Sequence, residues 1–160
     1  MLAVMGEERA IAAVEAAGLD VEVKRHGRVK SLAEAAAARG VTPRDLIKTM
    51  VVRRADDDYL FVLVPGGREI SWPKLRSLLG VSRLSMPDAD VAREATGYER
   101  GTITPFGSTT AWPVIADTLV AEPDRPISIG GGAHGVGLTV QSGAALKALA
   151  AQVADVTTEE

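Results

Sequence analysis

The chain has 160 residues, no cysteine and a net charge of −3. Such a length fits one domain with one core, able to bury about 70% of the surface that the unfolded chain exposes. The composition excludes a disulfide scaffold, a cysteine nucleophile and a cysteine-based zinc site, and the acidic balance argues against a stable, non-specific nucleic-acid binder. With only two Phe, two Trp and two Tyr, the core must be built from Val, Leu, Ile and Ala. The apolar residues 1–5 are too few for a signal segment or a membrane span, so the chain reads as soluble and cytoplasmic.

In chain order, residues 7–17 carry apolar positions at helical spacing and stop at Gly18, and residues 21–23 alternate like a strand. Ser31 and Glu34 form a capping-box pattern before an Ala-rich helix that ends at Gly40. Pro43 opens a further short helix. Residues 49–54 and 59–64 read as a hairpin around an acidic turn at 56–58. Ser71 caps a helix to Leu79, stopped by Gly80, and residues 81–86 read as a short strand. Asp88 or Asp90 begins a helix reaching about Ala95, followed by a glycine-rich loop over 96–107. Strands are expected over 112–120, 127–129 and 138–140, with a tight glycine turn over 130–135 between the last two. Ser142 caps a last helix to about Val153, and residues 155–160 read as a frayed polar tail. The mixture of helices and strand pairs predicts an α+β domain over residues 1–154, with a mixed, largely antiparallel sheet.

Several motifs have competing readings. Gly130, Gly132 and Gly135 match a dinucleotide-loop pattern, but strand character follows where that motif requires a helix N-terminus. The glycines serve either a tight turn or the close approach of a ligand to bare backbone. Lys24, Arg25, Arg28 and Lys30, with His26 among them, form either a protected sheet edge or a phosphate-contact patch. Two histidines are too few for a conventional metal site, and no serine-nucleophile elbow is present. No metal and no cofactor are therefore expected. Lys48, by spacing alone, is either a helix-end lysine facing the negative end of the dipole or a functional cation.

Three stretches carry a family resemblance. They are Leu46-Ile47-Lys48-Thr49-Met50-Val51-Val52, the loop from Ala95-Thr96-Gly97-Tyr98 through Gly101-Thr102-Ile103-Thr104-Pro105-Phe106-Gly107, and Ile129-Gly130-Gly131-Gly132-Ala133-His134-Gly135. In this order they resemble the YbaK/ProX family of aminoacyl-tRNA editing domains, which includes the domain inserted in many bacterial prolyl-tRNA synthetases. The resemblance implies a YbaK-like α+β fold and hydrolysis of the ester joining an amino acid to the terminal ribose of tRNA. It points to Lys48 as the important lysine, and to substrate contacts at His26, Thr49, Thr96, Gly97, Gly101, Thr104, Pro105, Gly107, Gly131, Gly132, His134 and Gly135. Two positions depart from the family: His26 stands where a Tyr is common, and Ala133-His134 where relatives often carry a basic residue.

The implied partner is the acceptor end of a tRNA, with a prolyl-tRNA synthetase as a second candidate; no membrane partner is expected. The expected substrate is tRNA-Pro carrying Cys, Ala or another small amino acid. The expected pocket lies between the two glycine loops. Their backbone N–H groups would stabilise the oxyanion, Lys48 at the floor would hold a phosphate or the ribose edge of the terminal adenosine or polarise the carbonyl, and water would attack, because no side chain stands out as a nucleophile. The alternatives are a non-catalytic binder of a tRNA end or nucleotide, and a synthetase-associated module.

Overall fold

The computed structural model describes residues 2–160, with side chains from Gly6 onward. Helix α1 (Leu2–Ala16) leads through Gly18, whose φ is +77°, into strand β1 (Glu22–Arg25). Helix α2 (Leu32–Arg39) is capped as the sequence predicts: Ser31 Oγ accepts from Glu34 N at 3.1 Å, and Glu34 reaches back to Lys30 N at 2.7 Å. Gly40 ends the helix in the left-handed conformation. A single 3-10 turn (Pro43–Asp45) then delivers the chain to the hairpin β2 (Lys48–Ala55) and β3 (Asp58–Val64). Next come β4 (Arg68–Ile70), α3 (Trp72–Leu79) and α4 (Ala89–Thr96). The second half holds β5 (Val114–Asp117), α5 (Thr118–Ala121), β6 (Pro126–Gly130), β7 (Val136–Gln141), α6 (Ser142–Ala148), β8 (Gln152–Ala154) and β9 (Thr157–Glu159).

The strands form three sheets, ordered β2-β3-β5-β8, β1-β7-β6 and β4-β9. The pairs β1–β7, β2–β3, β4–β9 and β6–β7 are antiparallel, while β3–β5 and β5–β8 are parallel. This is the predicted mixed, largely antiparallel α+β arrangement, distributed over three sheets. β3 shows why its sequence is apolar without alternation. Tyr59, Phe61 and Leu63 pack into the larger core with α1 and β6–β7, and Leu60, Val62 and Val64 pack on the other face with Leu75, Ile115 and Val156. A strand buried on both faces has no polar side to display.

Four expectations fail. Residues 81–86 form no strand; Ser85 alone bridges Arg53, with N···O distances of 2.7 and 3.1 Å. The apolar run 112–120 breaks after Asp117, because that buried carboxylate accepts from Leu119 N and caps α5. The last helix stops at Ala148, and Ala150 adopts φ +51° as the chain turns into β8. Its cap also differs: Ser142 is the first helical residue, and Asp124 reaches across to accept from Gly143 N at 2.8 Å. Finally, residues 155–160 are no frayed tail. Val156 and Thr157 are fully buried, β9 pairs with β4, and Val156 N donates to Asp117 Oδ1 at 3.0 Å.

Candidate active site

The site begins where two sheets meet once and part. Ile47 N donates to Ser128 O at 2.8 Å, and Leu46 bridges Ser128 in parallel, joining the start of β2 to β6. At the far end of β2, Arg53 exchanges backbone bonds with Ser85. These contacts use the edge of β2 that faces away from β3. Strand alternation puts the N–H and C=O groups of Thr49 and Val51 on that same edge. They meet no backbone partner there among the described residues.

Against this open edge lies a cavity of about 510 Å³. Leu46 through Val51 form one wall, Met86 to Ala89 and Ala92 a second, and Arg100, Gly101 and Ile103 a third, with Arg39 and Gly130 closing the end beside β6. The Thr49 hydroxyl is buried and without a hydrogen-bond partner. Arg39 and Arg100 meet no carboxylate within ion-pair distance among the described residues. Burial holds the Arg39 guanidinium below arginine's ordinary value, although an arginine remains charged under all ordinary conditions.

Lys48 lines this cavity at the first position of β2, preceded by an extended link rather than a helix end. Its ammonium donates to Arg68 O at 2.5 Å and pairs with Glu160 Oε1 at 3.1 Å. Two of the three ammonium donors are thereby used. The supposed tail thus helps to hold the lysine singled out in the sequence.

Of the other expected contact residues, Thr49 and Gly101 line the cavity and the remainder do not. Thr96 and Thr104 are fully buried and turn inward: Thr96 Oγ1 donates to Ala92 O at 2.8 Å, and Thr104 Oγ1 accepts from Phe106 N at 3.4 Å. Pro105 lines a different cavity, beside Trp112 and Leu149. Gly97 and Gly107 belong to the scaffold of the long loop, where Arg9 donates to Gly107 O at 2.7 Å and to Gly97 O at 3.0 Å. The Arg9 guanidinium lies 4.4 Å from the centre of the Tyr98 ring, and Tyr98 Oη donates to Phe106 O at 2.7 Å.

The second glycine turn is also a packing device. Gly131 N donates to Val136 O at 3.1 Å and Gly132 N to Thr102 O at 3.0 Å, so neither is free to meet an oxyanion. Gly132 has φ +80°, and a Cβ there would collide with the Gly6 carbonyl. Gly135 packs on the His26 carbonyl and accepts from His26 N at 2.9 Å. His134 is exposed, 3.4 Å from Glu99 across a small separate pocket. His26 touches the main cavity only through Arg39, whose Nε donates to His26 Nε2 at 3.1 Å. In the basic stretch, Lys24 pairs with Glu22 and Arg25 with Glu7, on an edge strand of its sheet. Sequence reasoning missed Arg39, Arg100 and Met86, and named Ile103 only within the glycine-loop stretch. No periodicity marks them as one set; the fold brings them together along the open edge of β2.

Residues 26–148 match the family model for the aminoacyl-tRNA editing domain. The chain belongs to that family. Curated relatives include the proline–tRNA ligases of Heliobacterium modesticaldum, 38% identical over 99 residues, and Bacillus licheniformis, 34% identical over 92 residues. The matches cover 62% and 58% of this editing domain, and only 17% and 16% of those ligases, so the chain spans about one-sixth of their length. Among solved structures, a protein described as a candidate trans-editing enzyme for prolyl tRNA synthetase superposes with a TM-score of 0.84 at 25% identity, covering 96% of this chain and 97% of that one. A second, described as hypothetical protein APE2540, shares the fold with a TM-score of 0.83 at 24% identity, over 94% and 99% of the two chains. The YbaK-like fold is therefore the fold of this editing domain. Among the described residues, no helix is long and apolar enough to cross a membrane, and no cluster of three or more His, Cys, Asp or Glu could hold a metal ion.

Proposed function

We propose that this editing domain acts as a separate deacylase, hydrolysing the ester of a mischarged aminoacyl-tRNA in the cavity along β2. The carrying observation is the unpaired edge at Thr49 and Val51, beside an orphaned Thr49 hydroxyl, in a cavity that two uncompensated arginines help to line. The oxyanion donors move accordingly, from the glycine turns to this strand edge. Water adds to the ester carbonyl carbon, and the edge N–H groups stabilise the resulting oxyanion. Collapse breaks the bond to the ribose oxygen, which takes up a proton, releasing the free amino acid and uncharged tRNA. The substrate's own neighbouring ribose hydroxyl activates the water; Asp88, the carboxylate in the cavity wall, is engaged with Val91 N as the cap of α4. One preorganised donor of this kind is worth about 3 kcal/mol.

Lys48 is the electrostatic anchor of this scheme. Its remaining N–H polarises the ester carbonyl, while the Arg68 carbonyl and Glu160 take the other two. The cavity walls at Ile47, Met50, Val51, Met86 and Ile103 select a small side chain by size. Such selection is limited to about 1–3 kcal/mol per methylene. The substrate class is tRNA-Pro bearing Ala, Cys or another small amino acid, and the relatives' names support the tRNA. Deacylation of a panel of aminoacyl-tRNAs tests the proposal. The parent protein should hydrolyse the small mischarged esters, and Lys48→Ala should slow the reaction about 100-fold. Binding of tRNA with ester loss no faster than in buffer would favour a non-catalytic binder. Equal rates for parent and Lys48→Ala would remove Lys48 from the mechanism.

A further inference from the structure

We infer that Arg39 is the phosphate-holding residue of the cavity, gripping the 5′-phosphodiester of the terminal nucleotide while Lys48 is left to the ester. The inference rests on the proposed function for the identity of the ligand, and on geometry for the site. Arg39 ends α2, where a basic side chain ordinarily faces solvent and the helix dipole. Here the side chain instead lies across the bare backbone of Gly137, where an added Cβ would come 2.6 Å from Arg39 Cδ and 2.9 Å from Cζ. Only glycine leaves room for the guanidinium to lie there.

The guanidinium is oriented but not neutralised. Nε donates to His26 Nε2 at 3.1 Å, and Nη1 donates to the Oγ of the fully buried Ser128 at 3.3 Å. His26 Nδ1 lies 2.8 Å from Gly27 O, which fixes it as the N–H donor and leaves Nε2 as the acceptor. Both partners of Arg39 are thus neutral, and Nη2 has no partner among the described contacts. A half-buried cation with neutral supports and one open donor face is built to receive an anion. Ser128 also supplies the carbonyl that pins Ile47, so the guanidinium and the open strand edge are referenced to one residue. Lys48, by contrast, already faces a carboxylate. Asp88 is the acidic group in the cavity wall, and its Oδ1 is engaged with Val91 N at 2.9 Å as the cap of α4.

The test compares CCA, which carries the 5′-phosphodiester of the terminal adenosine, with adenosine, which lacks it along with the two cytidines. The parent, Arg39→Gln, Arg39→Lys and, as a charge control, Lys147→Gln on α6 are titrated calorimetrically with the trinucleotide CCA and with adenosine. The parent should prefer CCA, Arg39→Gln should lose about tenfold in CCA affinity with adenosine binding unchanged, and Arg39→Lys should fall between. Lys147→Gln should match the parent. Unchanged CCA affinity in Arg39→Gln, equal losses for both ligands, or a parent indifferent to phosphate would each overturn the assignment. Deacylation measured in parallel separates the two readings. Hydrolysis with a KM independent of Arg39 removes the phosphate site alone, whereas Arg39-dependent CCA binding without hydrolysis removes the deacylase alone.

Discussion

Arg9 and Tyr98 show how two residues organise a loop that the sequence marks only by its glycines. Arg9 reaches from α1 to the carbonyls of Gly97 and Gly107 and covers the Tyr98 ring, and Tyr98 Oη closes the loop on the Phe106 carbonyl. Burial pushes the Tyr98 phenol above its ordinary value, against the opposing charge of Arg9 and its hydrogen bond. Tyr98→Phe should cost about 1–3 kcal/mol in urea unfolding, because it leaves the Phe106 carbonyl without its donor. Gly132→Ala should be worse, since it meets both a left-handed backbone and the Gly6 carbonyl. The glycines of both loops were legible in the sequence, but their purpose was not. Arg9 lies about ninety residues earlier in the chain, and nothing local ties it to Gly97 or Gly107. Lys48 and Thr49, which the family resemblance singles out, both line the cavity. Arg39 was hidden because a basic residue before a C-capping glycine is what any helix would carry.

At the scale of elements, the edge of β2 and the closing strand β9 matter most. The hairpin β2–β3 and the helices capped by Ser31, Ser71 and Asp88 follow from patterns that repeat within a few residues and agree with the sequence reading, whereas Ser142 is the first helical residue rather than a cap and Pro43 opens a single 3-10 turn rather than a helix. Residues 155–160 looked polar and expendable because β9 is short and two of its three residues are exposed. What anchors it is long-range: Val156 N on Asp117, the β4–β9 pairing and Lys74 on Asp155 and the Thr157 carbonyl. Deleting residues 155–160 should lower the urea midpoint and also remove Glu160 from Lys48. Val156→Ala is the milder probe. It should cost about 2 kcal/mol by opening a cavity in the second core cluster while leaving the Lys48–Glu160 pair in place. A loss of deacylation in the deletion, with activity kept in Val156→Ala, would assign the effect to the position of Lys48 rather than to stability.

Across the whole molecule, the frame of the cavity depends on Arg125. Its side chain is largely buried and links Asp45, just before β2, at 2.6 Å, to the carbonyls of Leu119 and Pro123 at 2.9 Å. Breaking such a pair from one side costs about 3–5 kcal/mol, so Arg125→Met should be strongly destabilised in urea unfolding. Burial pushes the Asp45 carboxyl up. Hydrogen bonds from Arg125 and Thr42 and the charges of Arg125 and Arg44 outweigh it and leave the value below the ordinary one. A carboxyl lowered on folding contributes stability that is fully present above its unfolded value of ~3.9, and lost as pH falls through the lower folded value. Urea midpoints followed from pH 6 down should therefore fall less steeply below about pH 4 in Asp45→Asn than in the parent.

Under the proposed function, this one domain hydrolyses a mischarged ester along the open edge of β2 without the rest of a ligase. The most direct measurement is the first-order loss of amino acid from Ala-tRNA-Pro, Cys-tRNA-Pro and Pro-tRNA-Pro with the purified 160-residue protein. The expected result is that at least one small mischarged ester is lost faster than in buffer while Pro-tRNA-Pro is spared. Decay of all three at the buffer rate, under conditions where the protein is folded and binds tRNA, would contradict it.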